Sequence, residues 1–313
     1  MDLPYLPQLP MRDPAELMVP QALEGLPGLG VGPDGTASVR LAAWEPHAAG
    51  FEQRLERALA SGDVSGFEPS ATSSCAWRPF LREIEARKLP LAKLQCAGPV
   101  TACWALELDD GRPAATVPRL EGQVYRLVLA RAIAMSRALR ERGTRPLLFL
   151  DEPVLGLLEP ERDPRHALLF EGLRGMIAAL QQEGALVGVH CCGNCDWKAL
   201  LGLGLEVLSF DAGLSLASVL GEEEALLRFV EAGGTLALGI VPTNREGQLD
   251  PELLAEKTLA SLRPRGELGE RLLRRSLLTP ACGLALRSVN QCERVFAGLQ
   301  RAQEILRASL AAG

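Results

Sequence analysis

No stretch of the 313-residue chain reaches the ~18 uninterrupted apolar residues that a membrane span needs. Basic charge is also scarce: Lys plus Arg number 33 against 39 for Asp plus Glu, a formal charge of −6. Phosphate backbones and anionic lipid surfaces are held by a surplus of Lys and Arg. Neither nucleic acid nor a membrane is therefore an expected partner. The first twenty residues lack a basic segment followed by an apolar one. They carry Pro4, Pro7, Pro10, Pro14 and Pro20 with Asp13 and Glu16, so no signal peptide is expected. Eight cysteines at this length are too sparse and too uneven for a disulfide scaffold. Cysteines in such a chain read as ligands or catalysts, and the expected compartment is the reducing cytoplasm. Internal repeats and low-complexity linkers are also absent.

What is present is apolar material, 47% of residues against 23% charged, enough for a large core. It comes as short apolar runs followed by longer helical stretches. The clearest strands are Leu147–Leu150, Leu186–Val189, Val207–Phe210, Leu236–Ile240 and Leu277–Leu278. Each is continuous rather than alternating, as suits parallel strands covered on both faces. Leu91–Cys96, Val39–Ala43 and the Pro-rich stretch Tyr5–Leu9 are weaker candidates that bring the total to eight. Helical spacing occupies Glu121–Arg142, Arg165–Glu183, Leu214–Ala232, Pro251–Leu262 and Val289–Leu310. Asp250 and Pro251 are suited to the N-cap and first helical position.

Repeated strand–helix alternation predicts a parallel sheet, and eight units predict an α/β fold of the (β/α)8 TIM-barrel type. The expectation is one barrel over residues 1–313, with extra helices inserted at about 44–90, between the second and third strands. A doubly wound open sheet is the alternative.

The chemistry lies where strands end. Leu150 runs into Asp151-Glu152-Pro153, Val189 into His190-Cys191-Cys192, Phe210 into Asp211, and Pro280-Ala281 into Cys282-Gly283. In a barrel all these ends meet at one mouth. His190, Cys192 and Cys282 are the candidate metal ligands, because Zn2+ takes imidazole nitrogen and thiolate sulfur in a tetrahedron and a catalytic site leaves one position open. His190 and Cys192 are two residues apart, which in extended backbone puts both on one face. Asp211 could add a displaceable oxygen. Cys195, in Cys192-Gly193-Asn194-Cys195, reads as a redox partner, a further ligand or a nearby free thiol. Asp151 and Asp211 are the candidate catalytic acids. Asp151 and Glu152 close an apolar strand, where a carboxylate needs a cation or donor, such as a substrate ammonium or a rim salt bridge. Gly98-Pro99-Val100-Thr101, a tight turn, brings Thr101 to the same end. His47 and His166 read as surface or helix-end residues.

Leu150-Asp151-Glu152-Pro153, His190-Cys191-Cys192 and Cys282-Gly283-Leu284 resemble, in order and spacing over about residues 90–290, the catalytic half of cobalamin-independent methionine synthase. The Gly98-Pro99-Val100-Thr101 turn is similar to one in the wider group that includes uroporphyrinogen decarboxylase. The resemblance implies a barrel with zinc at its mouth held by His190, Cys192 and Cys282, and Asp151 against the amino group of homocysteine. It implies methyl transfer to a thiol, giving methionine, with a folate or a corrinoid protein as donor. The chain departs from the family at Ser209-Phe210-Asp211, where the methionine synthases have a glutamate ligand. It also departs at Leu6-Pro7-Gln8-Leu9-Pro10, where they have an Ile-Gly-Ser segment. Two other readings are a metal-free decarboxylase using carboxylates and arginines, and a non-catalytic zinc protein that serves a corrinoid partner.

Overall fold

The computed structural model describes residues 3–158, 164–243 and 250–312. In chain order the first elements are α1 Met18–Leu23, β1 Leu29–Val31, β2 Ala37–Val39, α2 Leu41–Ser61, α3 Trp77–Arg87, β3 Leu91–Ala97, α4 Pro99–Ala105, β4 Glu107–Leu108, α5 Pro118–Arg140, β5 Arg145–Asp151 and α6 Pro164–Gln182. They are followed by β6 Leu186–Cys191, α7 Trp197–Leu201, β7 Val207–Asp211, α8 Ala212–Gly221, α9 Glu223–Glu231, β8 Thr235–Val241, α10 Pro251–Leu262, α11 Gly266–Arg275, β9 Leu277–Pro280 and α12 Val289–Ala312. The chain divides into two compact units, Met1–Val154 with Glu171–Val187, and Leu155–Phe170 with Gly188–Gly313. Among the described residues, no helix is long and apolar enough to cross a membrane.

The expected eight-stranded barrel is not what forms. The larger sheet has six strands in the order β3-β5-β6-β7-β8-β9, and a separate small sheet has the order β1-β2-β4. The pairs β3–β5, β6–β7, β7–β8 and β8–β9 are parallel, as the continuous apolar runs require. Two of the eight anticipated strands fail for local reasons. Around Tyr5 the chain makes one parallel bridge to Lys93, in which Leu6 N donates to Lys93 O at 3.0 Å and Lys93 N to Pro4 O at 2.7 Å. Pro7 and Pro10 have no N–H to continue the ladder. Val39–Ala43 splits instead. Its first residue ends β2 in the small sheet, and Leu41 onward starts α2, whose buried stripe Trp44, Ala48, Phe51, Leu55 and Ala58 has helical spacing. Residues 44–90 are thus largely α2 and α3. The stretch Leu214–Ala232 is two helices rather than one, α8 and α9, broken at Gly221-Glu222.

In the first unit α5 is the central helix. Leu120, Val124, Leu127, Val128 and Leu139 are fully buried on it, and so is Arg131. That guanidinium donates to Ala22 O at 3.2 Å, Glu24 O at 2.6 Å and Glu24 Oε2 at 3.2 Å, which supplies the partners a buried cation needs. At the end of β5, Glu152 is wholly buried and its carboxylate accepts from Val100 N at 3.0 Å and Thr101 N at 2.7 Å. The Asp-Glu-Pro and Gly-Pro segments therefore meet as a capped helix start, with a carboxylate on the otherwise unpaired amides of the first turn of α4.

In the second unit β6, β7, β8 and β9 lie side by side. β6 and β9 are three strand spacings apart, ~14 Å if the sheet were flat. Gly239 on β8 lets the chain after β9 come close. A Cβ there would lie 2.7 Å from both Ala281 Cα and Phe210 O. Ala281 N also donates to Val241 O at 2.8 Å, so the residue before Cys282 is held on β8.

Candidate metal centre

His190, Cys192 and Cys282 come together in the second unit. One ligand atom from each lies within 4.8 Å of the other two. A tetrahedral zinc with Zn–S about 2.3 Å and Zn–N about 2.0 Å has ligand–ligand edges of roughly 3.5–3.8 Å. The donor set, one imidazole nitrogen and two sulfurs, is one that zinc takes, and the atoms lie within about 1 Å of the separation such edges require. His190 lies in β6 and Cys192 follows it, and both are half-buried, whereas Cys191 between them is buried. That alternation is the period-two geometry of extended backbone. Cys282 is exposed, so the centre opens to solvent on the side it supplies.

His190 is oriented by its neighbour strand. It is in register with Ser209 on β7, and its Nδ1 sits 3.0 Å from Ser209 Oγ. With Nδ1–H donating to that hydroxyl, Nε2 is the nitrogen that can ligate a metal. Ser209 belongs to the segment that departs from the resembling family, yet sequence reasoning gave it no role. The signal was register, because Ser209 becomes a neighbour of His190 only once β6 and β7 pair. Ser209→Ala is expected to weaken zinc binding about 10-fold while the fold persists, the low end of losses for such supporting contacts. Competition titration with a chromophoric chelator reads this directly. An unchanged affinity would remove Ser209 from the site.

The Cys192 and Cys282 thiols shift each other's acidity in opposite directions. Cys282 is pulled down to about 4, first by the hydrogen bond from the Cys192 thiol and then by His190. Cys192 is pushed above the usual thiol range, first by that same bond to the Cys282 thiolate and then by burial. Cys195 lies outside this cluster.

Asp211 is at the end of β7 but does not join the cluster among the described residues. Its carboxylate caps α8, accepting from Leu214 N at 3.2 Å. Asp151, Glu152 and Thr101 belong to the first unit. Asp151 is half-buried at the end of β5. Burial lowers the affinity of Lys93 for its proton, and the charge of Asp151 opposes this. The Lys93 ammonium donates to Gln95 Oε1 at 2.9 Å and stands 5.0 Å from the Phe149 ring centre. Thr101 is buried, and its hydroxyl accepts from Val154 N at 3.3 Å. Glu152 and Thr101 thus hold the β5–α4 junction. His47 is exposed on α2.

In comparisons with known proteins, no protein-family model matches the chain and no curated protein matches it either.

Proposed function

We propose that the chain is a zinc-dependent S-methyltransferase whose acceptor is a small thiol, with homocysteine the first candidate and methionine the product. The observation that carries the reading is the cluster of His190, Cys192 and Cys282, three donors open to solvent on one side. Three protein ligands with an open fourth position are the pattern of catalytic rather than structural zinc. When bound, zinc would supply positive charge that lowers the pKa of an added thiol and presents it as a thiolate at neutral pH. Within the chain, Ser209 holds the imidazole, and Cys192 and Cys282 supply the sulfurs. The acceptor sulfur then forms its bond to the methyl carbon as the donor's bond to that carbon breaks. The donor we assign is a folate or a corrinoid carrier protein, and the compartment the reducing cytoplasm, where the cysteines stay thiols. The donor set supports this reading independently of barrel closure, since every ligand comes from the second unit.

Cobalt substitution provides the test. The sulfur-to-cobalt charge-transfer absorption that Cys192 and Cys282 already give the cobalt-loaded chain is expected to intensify on adding homocysteine, and to stay unchanged with methionine, whose thioether is a poor ligand. A spectrum indifferent to homocysteine means a closed or absent site and ends the methyltransferase reading.

A further inference from the structure

The chain carries 29 arginines but only four lysines, and Lys88, Lys198 and Lys257 are exposed. The fourth, Lys93, stands on a sheet face in the first unit. Register puts it in a row with Leu147 of β5 on one side and Tyr5 on the other. Gln95 and Phe149 form the next row on that face, and Ala97 and Asp151 the one after. The Lys93 ammonium donates to Gln95 Oε1 at 2.9 Å and stands 5.0 Å from the Phe149 ring centre. Gln95 Nε2 donates to Leu6 O at 2.6 Å, which fixes the amide with its oxygen toward the lysine. Among the described residues no carboxylate lies within ion-pair distance of Lys93, so its close partners are neutral. Neutral partners hold a proton on an amine less firmly than a paired carboxylate does, and burial adds to this while the charge of Asp151 opposes it. Lys93 is nevertheless only half-buried, so solvent reaches it in part. A lysine that is crowded, unpaired with any carboxylate and still reachable has the properties of a nucleophilic amine.

We propose that Lys93 is an imine-forming site for a small uncharged aldehyde. Leu147 and Phe149 give the carbon tail an apolar wall, and the Asp151 carboxylate further along the same face disfavours an anionic oxo acid. The amine nitrogen attacks the carbonyl carbon, and the C=O π pair moves to oxygen, which takes one proton from nitrogen. The carbinolamine then loses its hydroxyl: the C–O bond breaks, the C=N bond forms, and the hydroxyl leaves with the second nitrogen proton as water. One amine and one aldehyde thus become one imine and one water, and nothing is oxidised or reduced. Every residue of this site lies in the first unit, so the proposal stands apart from the metal reading.

The test is reductive alkylation of the full chain at neutral pH with limiting propionaldehyde and cyanoborohydride, which delivers hydride to the imine carbon and fixes a propyl group on nitrogen. Trypsin does not cut after an alkylated lysine or between Arg112 and Pro113, so label on Lys93 appears as one heavier peptide of residues 89–119. Label at Lys93 is expected to build up several times faster than at Lys88, Lys198 or Lys257, which serve as internal controls. Glyoxylate, an anionic aldehyde, should give a lower ratio of Lys93 to Lys257 label than propionaldehyde does. In guanidinium chloride the preference for Lys93 should vanish, because the unfolded chain loses the crowding and the Asp151 charge together. Lys93 labelled no faster than the exposed lysines, or a preference that survives unfolding, would overturn the site. An equal ratio with both aldehydes would overturn the assignment of an uncharged ligand.

Discussion

Replacing either Cys192 or Cys282 by alanine is expected to lower bound zinc from about one ion per chain to near zero, with the chain still folded. Three donors meet within 4.8 Å. Removing one leaves two protein ligands, fewer than the three that catalytic zinc sites keep. Loss of a supporting contact alone costs ~10- to 100-fold in affinity, so loss of a ligand should exceed about 100-fold. The exposed position of Cys282 makes Cys282→Ala the milder change for packing, because no core contact goes with it. Two neighbours serve as controls. Cys195→Ser should keep its zinc, since Cys195 lies outside the cluster. Asp211→Asn should keep it too, because Asn also caps helices and Asp211 is outside the cluster. Metal analysis after gel filtration decides the matter. Equal zinc in wild type, Cys192→Ala and Cys282→Ala would dismiss the centre. Zinc lost from Cys195→Ser would mean a different donor set.

Gly98→Ala should be among the most destabilising single-methyl additions in the chain. The Cβ would sit 2.2 Å from both Cδ and Oε1 of Glu152, a distance real atoms do not tolerate. Glu152 cannot step aside, because it is wholly buried and accepts from Val100 N and Thr101 N. Overpacking costs ~1–3 kcal/mol, and disturbing hydrogen bonds to a buried charge adds ~1.5–3 kcal/mol, so a loss of about 3 kcal/mol or more is expected. Glu152→Gln tests the same contact from the other side. It keeps the shape but turns an amide donor toward a backbone N–H, at a cost of about 2 kcal/mol. Gly50→Ala is the opposite case. It lies within α2, and a Cβ there meets nothing within 4 Å. Exchange for alanine in a helix interior should stabilise by ~0.5–1 kcal/mol. Urea unfolding curves separate the three. A Gly98→Ala midpoint equal to wild type would show that the β5–α4 junction is looser than described.

What could be read in advance depended on the range of the interaction. α10 runs Pro251–Leu262, with Asp250 Oδ1 accepting from Leu253 N at 2.9 Å, because a cap and its amides lie within one turn. The five clear strand runs all appear as strands of the larger sheet; in β5 to β8 continuous burial on two faces leaves a continuous apolar run, whereas β9 at the sheet edge is half-exposed. The weak runs misled. Val39–Ala43 has the right composition for a strand, but the stripe from Trp44 onward ties its second half into α2. The motif Asp151-Glu152-Pro153 looked like one functional unit. In the fold Glu152 caps α4, while Asp151 influences the charge of Lys93.

By itself the sequence determined the class of structure, alternating parallel strands and helices, and the donor types His190, Cys192 and Cys282, because composition, period and local caps are properties of neighbouring residues. Only the tertiary structure decided the number of strands in the sheet, the meeting of His190, Cys192 and Cys282, and the contact of Ser209 with His190. Those depend on strand order and register, which pair residues far apart in the chain. Proline and helix-period signals too weak to score locally settle them when the elements compete for the same backbone.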